Sequence, residues 1–209
     1  MRKTDSKGDV AQSLENAKFV VTYYTKMMTT DPALQGIAYT RKWVFKTKKV
    51  GNYYMSKYDE SYKVSGPDLY KNTNGIYSMP YGTVTIQEQE SADGYAVDST
   101  MHVICLDGKG TVGISNETAL VIPNNSVDFN IVKKQYGTNS VISGAVFKHT
   151  DPNGKVETVT TDKNGKASFR GLIDGKHIIE ETYVDPAYFV NDHKIEFTVS
   201  GGQILSLIH

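Results

Sequence analysis

Cysteine occurs once in the 209 residues, as Cys105, so no disulfide can form within the chain. In "MHVICLDG" it alternates with Met101 and Val103, a pattern that predicts a buried, inert thiol rather than a nucleophile. No apolar run approaches the roughly 20 residues of a membrane-spanning helix. Charge of one sign is not in excess. Lys+Arg and Asp+Glu number 23 each, which removes any global electrostatic case for nucleic acid or an anionic membrane. The opening "MRKTDSKGDV" has no apolar signal-peptide core, and both this end and "ILSLIH" read as cuts from a longer protein. The five histidines are scattered without metal-ligand spacing, and there is no Gly-rich phosphate loop and no G-x-S-x-G. "DPNGKVE" and "DKNGKAS" start like calcium loops but lack the third acidic position and the closing glutamate, so they read as turns. No metal, no cofactor and no enzyme in the usual sense is expected.

What is present favours strands. Fourteen tyrosines, eighteen glycines and many Thr and Val residues suit an all-β chain. Asn74-Gly75, Asp107-Gly108, Asn153-Gly154 and Asn164-Gly165 are hairpin signals between strand-like runs. "KVETVTTDKNGKASFRGL" reads as strand, tight turn, strand. Only "DVAQSLENAK" could form a short helical turn. This organisation predicts two β-sandwiches in tandem.

The chain also repeats itself. "LENAKFVVTYY" resembles "ISGAVFKHT", each with a small residue two before a phenylalanine: Ala17 and Phe19, Ala145 and Phe147. A lysine stands upstream of each, Lys3 and Lys133. Downstream, "GTVTIQEQESADGY" and "GKHIIEETYVDPAY" each place a glutamate six residues after a glycine and a tyrosine seven later. Glu88 and Glu181 are therefore equivalent. Each ends an apolar row, since Val84, Ile86 and Glu88 share one side of a strand. The units run from about 1 to 125 and 126 to 209, the first longer by an insertion at about 29–80. The junction "PNNSVDF" has no Gly/Ser tether and predicts a stiff joint.

The second unit resembles the B-type repeat of collagen adhesins (Cna B-type), a prealbumin-like β-sandwich of Gram-positive surface proteins and pilins. The matching residues are "ISGAVF", "TTDKNGKASFRGL", "DGKHIIEETYVDPAY" and "KIEFTV". The first unit is similar through "KTD", "SLENAKFVVTYY", "TRKWVFKT", "YKVSGPDLY" and "GTVTIQEQESADGY". The resemblance implies an Ig-like sandwich in each unit. It also implies a self-formed isopeptide bond between a first-strand lysine and a last-strand asparagine, promoted by a buried glutamate. The implied setting is extracellular and cell-wall anchored, with neighbouring domains of one surface protein as partners.

The implied bond has a physical basis. A lysine is nucleophilic only when neutral, and burial disfavours its charged form. A nearby carboxyl group polarises the amide and relays protons to the departing ammonia, while fixed contact supplies proximity. Parity then selects residues. Val127, Phe129, Ile131 and Lys133 share a face, with Lys134 opposite, so Lys133 is expected to be buried. Lys3 matches the family's lysine-x-aspartate pattern, but too few residues precede it to test parity. Leu120, Ile122 and Asn124 share a face, which makes Asn124 the expected partner and Asn125 the reserve. The second unit's last strand, read as "GGQILSLIH", ends before any asparagine. Asn191 and Asp192 are alternatives placed before that strand, and no completed bond is expected there.

A buried Lys–Glu ion pair is the plain alternative at each site. The rival function is a ligand-binding module recognising a host protein or glycan through the insertion's Tyr53, Tyr54, Tyr58, Tyr62, Tyr70 and Tyr77. "RKWVFKTKK" reads as a half-buried strand with a solvated basic face.

Overall fold

The computed structural model describes residues 1–109 and 118–208. The chain forms two compact units. One comprises Met1–Ala92 and Val97–Asn125, the other Asp93–Ala96 and Ser126–His209. Among the described residues, the regular secondary structure of both is strand apart from one short 3-10 helix, as the turn-punctuated apolar alternation requires.

In the first unit the strands are β1 (Arg2–Asp5), β2 (Lys18–Tyr24), β3 (Arg41–Lys46), β4 (Lys48–Val50), β5 (Tyr53–Met55), β6 (Lys63–Ser65), β7 (Gly82–Glu90), β8 (His102–Leu106) and β9 (Val121–Asn124). They make two sheets, ordered β4-β5-β1-β9 and β6-β3-β2-β7-β8. Phe19, Val21, Trp43, Phe45, Val84 and Ile86 from the second sheet are buried, as is Ile122 from the first. The 29–80 stretch carries β3, a strand of the central sheet, besides β4, β5 and β6. β3 buries Trp43 and Phe45 and leaves Lys42 exposed, as its alternation requires.

The second unit has β10 (Phe129–Val132), β11 (Val146–Thr150), β12 (Val156–Thr160), β13 (Lys166–Phe169), β14 (Gly175–Tyr183), β15 (Ile195–Ser200) and β16 (Gln203–Ile208). Its sheets are β10-β13 and β12-β11-β14-β15-β16. Phe147, Phe169, Ile179, Phe197 and Val199 form the centre of its core.

The two units share detail at the level of atoms. The Ala17 N–H donates to Thr47 Oγ1, whose hydroxyl donates to the Leu14 carbonyl. Ala145, Thr161 and Ile142 repeat both bonds. A register shift falls just before the phenylalanine in each unit, at Lys18/Phe19 and at Val146/Phe147. Each bulge re-aims the strand, and beyond it Phe19 pairs with Glu88 and Phe147 with Glu181. The recurring Ala-x-Phe spacing thus encodes a buried hydroxyl bridge followed by a bulge.

Four sequence expectations need correction. "DVAQSLENAK" forms no helical turn. Asn16 takes a left-handed φ of 65°, and its N–H donates to the carbonyl of Thr47, tying the segment to the link between β3 and β4. The short 3-10 helix lies instead at Pro32–Gln35, capped by Asp31. Cys105 is half-buried, because among the described residues β8 pairs only with β7 and forms the sheet's edge. The "KVETVTTDKNGKASFRGL" strands do not pair with each other. β12 joins β11 and β13 joins β10, so the chain crosses between sheets at that turn. "GGQILSLIH" is likewise not the counterpart of β9. β16 folds back on β15 as an antiparallel hairpin, whereas β9 runs parallel to β1. The strand-like run after Asp107-Gly108 begins outside the described residues.

Candidate functional site

Parallel pairing of β1 with β9 sets Lys3 opposite Ile122 and Asp5 opposite Asn124. Lys3 and Asp5 point inward while Arg2 and Thr4 are half-buried, which settles the parity that the sequence left open. Because side chains alternate, Lys3, Ile122 and Asn124 meet on the core side. From the other sheet, β7 brings Glu88 to the same place.

The three side chains converge. The side chains of Lys3 and Glu88 have no solvent exposure, and Asn124 is 2% exposed. Lys3 Nζ lies 3.0 Å from Glu88 Oε1 and donates to Asn124 Oδ1. Asn124 Nδ2 donates to Glu88 Oε1 at 3.0 Å. The second carboxylate oxygen accepts the Asp98 N–H at 2.7 Å, which holds the carboxylate plane fixed. The Lys3 amine sits 5.2 Å from the Phe19 ring centroid. Burial pulls its pKa below the ordinary lysine value, against the opposing charge and hydrogen bond of Glu88. Asn125 lies outside this cluster, where its Oδ1 accepts the Ser6 hydroxyl at 2.7 Å at the surface.

The second unit assembles part of the same site. Lys133 Nζ lies 2.7 Å from Glu181 Oε2, which also accepts the Asn191 N–H at 2.6 Å. Asp98 and Asn191 each stand ten residues beyond their glutamate, so this support is duplicated too. Glu181 Oε1 is buried with no hydrogen-bond partner among the described residues. Lys133 keeps 16% of its side chain exposed, so it is half-buried rather than sealed. The reason is topological: among the described residues β10 has β13 on one side and no strand where β9 stands beside β1. The side chain of Asn191 turns back to accept the His193 N–H, and Asp192 is exposed; neither reaches Glu181.

Sequence reasoning named the lysines and glutamates but missed the backbone donors at Asp98 and Asn191. The fixed spacing after each glutamate was the available signal. Asp5, noticed only as part of a motif, accepts the N–H groups of Lys7 and Ala11.

Several insertion tyrosines are occupied by packing. Trp43 meets Tyr58 and Tyr70 edge-on at 5.5 and 6.1 Å, and Arg41 lies over the Tyr70 ring. Tyr58 accepts the Tyr70 N–H, while Tyr62 is buried beneath Lys48. Tyr53 lies beneath Arg2 and Tyr77 beneath Lys71, and Tyr54 is half-buried. The calcium-like segments are turns in which Asp151 Oδ1 accepts the N–H groups of Asn153 and Lys155, and Asp162 Oδ1 those of Asn164 and Lys166.

Residues 127–207 match the family model of the SpaA prealbumin-like fold domain. No curated protein matches the chain. Among solved structures, the chain is similar to a C-terminal fragment of the pilus adhesin SpaC from Lactobacillus rhamnosus GG. Identity is 17%, coverage 99% of this chain and 84% of that one, and TM-score 0.47. It is similar to the Bacillus anthracis TIE protein at 21% identity, covering 95% of this chain but only 31% of that one, with TM-score 0.45. A third similarity is to the shaft pilin SpaA from Lactobacillus rhamnosus GG, at 16% identity, 94% and 91% coverage and TM-score 0.31.

Proposed function

We propose, from the match of residues 127–207 to the family model of the SpaA prealbumin-like fold domain, that the chain is a structural segment of a Gram-positive adhesin or pilin-like surface protein. Its first unit is locked by a self-formed Lys3–Asn124 isopeptide bond. The observation that carries this reading is the sealed contact of Lys3 Nζ, Asn124 and Glu88 Oε1.

The chemistry balances within those three side chains. Transfer of one proton from the Lys3 ammonium to Glu88 turns an ion pair into a neutral amine beside a neutral acid. Lys3 Nζ then attacks Asn124 Cγ. Glu88 takes the remaining surplus proton from Nζ as it donates one to Nδ2, the Cγ–Nδ2 bond breaks, and ammonia leaves. Positioning and proton relay by Glu88 supply the catalysis. The product is a neutral amide, which leaves no buried charge on Lys3. Each chain reacts once, on itself.

The bond would close a separation of 121 residues. Loop-closure entropy for loops of that order is worth about 5 kcal/mol. Pulling force on the first unit would run through a covalent link indifferent to reductants, which suits a surface stalk with neighbouring domains as its partners. In the second unit Lys133 and Glu181 form the same pair, and among the described residues no asparagine side chain reaches them. Intact-mass spectrometry tests the reading. The chain should be lighter than its sequence by one ammonia, and Glu88→Ala should have the full mass. A wild-type chain at full sequence mass removes the bond.

A second reading is favoured by one observation. A cavity of about 530 Å³ in the first unit is lined by Met55, Tyr58, Tyr77, Met79, Tyr81 and Ile104 among others, and its aromatic walls suit an apolar or sugar ligand. A glycan and matrix-protein array tests it, and a blank array removes it.

A further inference from the structure

The second unit contains a buried histidine pair that the cross-linking chemistry does not use. His149 on β11 and His177 on β14 are 2% and 0% exposed. Their rings stack 5.0 Å apart and 15° from parallel, and His149 Nε2 lies 2.7 Å from His177 Nδ1. The chain of contacts continues at both ends. His177 Nε2 lies 2.7 Å from the Ile173 carbonyl oxygen, and His149 Nδ1 lies 3.0 Å from Glu157 Oε1 on β12.

Counting protons along this chain gives a definite result. The Ile173 carbonyl can only accept, so His177 Nε2 carries a hydrogen. In a neutral imidazole the other nitrogen then accepts, so His177 Nδ1 receives the hydrogen of His149 Nε2. The remaining contact joins His149 Nδ1 to a carboxylate, which also accepts. Three contacts need three protons, and two neutral imidazoles supply two. Without the third, a nitrogen lone pair would face a carboxylate oxygen at hydrogen-bond distance, at a contact where the His149 side chain is 3% and the Glu157 side chain 42% exposed.

We propose that the buried pair His149 and His177, with the half-exposed Glu157, forms a proton-binding site that holds one proton beyond two neutral imidazoles, and that this makes the second unit's stability pH-responsive. The proton sits between His149 and Glu157. His177 stays neutral, consistent with burial and the adjacent His149 lowering its affinity for a proton.

The apolar surroundings oppose a second positive charge on the pair. Phe169 from β13 packs against the His149 ring at 4.9 Å, and Phe197 from β15 stacks on His177 at 5.1 Å. Besides Glu157, the acidic group acting on the pair is Asp151, just beyond β11. Glu181 shares the inward row of β14 but binds Lys133. The ion pairs Lys148–Glu180 and Lys176–Glu196 lie on the outward face of the sheet. The fold itself does not demand histidine here. Counting from the repeated phenylalanine and glycine, the first unit places Val21 and Val84 at these two positions, both buried.

The pH dependence follows from linkage. While all three contacts are made, the folded pair carries that one extra proton. Two unfolded histidines together hold one proton near their ordinary pKa of about 6.5. Stability from this site is therefore greatest near that pH. Below it the unfolded chain binds more protons than the folded one, so stability falls on acidification. Above it the folded chain binds more, so stability falls as pH rises.

The test uses the full chain. Nitrogen-15 NMR of the histidine rings at neutral pH should show His149 protonated on both nitrogens and His177 on Nε2 alone. The melting temperature of the wild type minus that of His149→Val/His177→Val should peak near pH 6.5. Glu157→Gln should remove the alkaline limb of that curve and leave a folded protein with the same mass change as the wild type. A singly protonated His149 at neutral pH, or a difference curve without a maximum, overturns the proposal. Neither readout depends on the Lys3–Asn124 bond.

Discussion

Asn124 Nδ2 donates to Glu88 Oε1 at 3.0 Å, whereas Oε1 of Glu181, the equivalent glutamate of the second unit, is buried without a partner among the described residues. The two sites share lysine, glutamate, paired phenylalanine and backbone donor. They differ in whether a strand brings an amide alongside. The first four expectations below follow from that difference and from the duplicated framework.

Replacing Asn124 by Ala should restore the full sequence mass and destabilise the first unit by roughly 4–5 kcal/mol, the loop-closure contribution of a link this long. Asn125→Ala should keep the lighter mass, since Asn125 faces Ser6 at the surface. Loss of the mass change in Asn125→Ala alone would move the partner.

The wild type should lose one ammonia, not two, because among the described residues no side-chain amide reaches Lys133 or Glu181. Peptide mapping should find Lys133 unmodified. A cross-link at Lys133 would contradict this.

Lys133→Met should destabilise the second unit by about 3–5 kcal/mol at neutral pH, since it strands a buried carboxylate. Lys133→Met combined with Glu181→Leu should recover most of that loss, because both charges are then gone. Chemical denaturation of the two variants measures the difference.

In Asn124→Ala the amine of Lys3 remains free and buried. Its folded pKa lies below the unfolded value of about 10.4. The folded state then binds fewer protons than the unfolded one, so stability rises with pH through the interval between the two values and is lost as pH falls through the folded one. Adding Lys3→Met should flatten this slope; an equally steep slope in the double variant would assign it elsewhere.

Thr47→Val and Thr161→Val should each cost about 1–3 kcal/mol, because each strands one buried N–H and one carbonyl. Similar losses in both units would match the shared geometry.

Much of this was readable before any coordinates. Lys3, Glu88 and Asn124 were selected by repeat position, family resemblance and strand parity, and the structure brings all three together. Parity is local, so a strand's inward row can be read from a few residues. The failures were matters of pairing. β16 looked like the final strand because its composition suits any strand, and only its hydrogen bonds to β15 show otherwise. For the insertion tyrosines the sequence left packing and ligand binding both open, and several pack against Trp43, Arg41 and one another.

The sequence by itself determined the strand-rich character, the internal duplication and the residue types of the lysine–glutamate–asparagine cluster, because these depend on period-two alternation and on spacing along the chain. The tertiary structure alone decided which strand lies beside which. That choice completes the amide–carboxylate contact at Glu88, leaves Glu181 Oε1 without one, and places His149 against His177 and Glu157. Such contacts join residues tens of positions apart, and no local pattern encodes the partner.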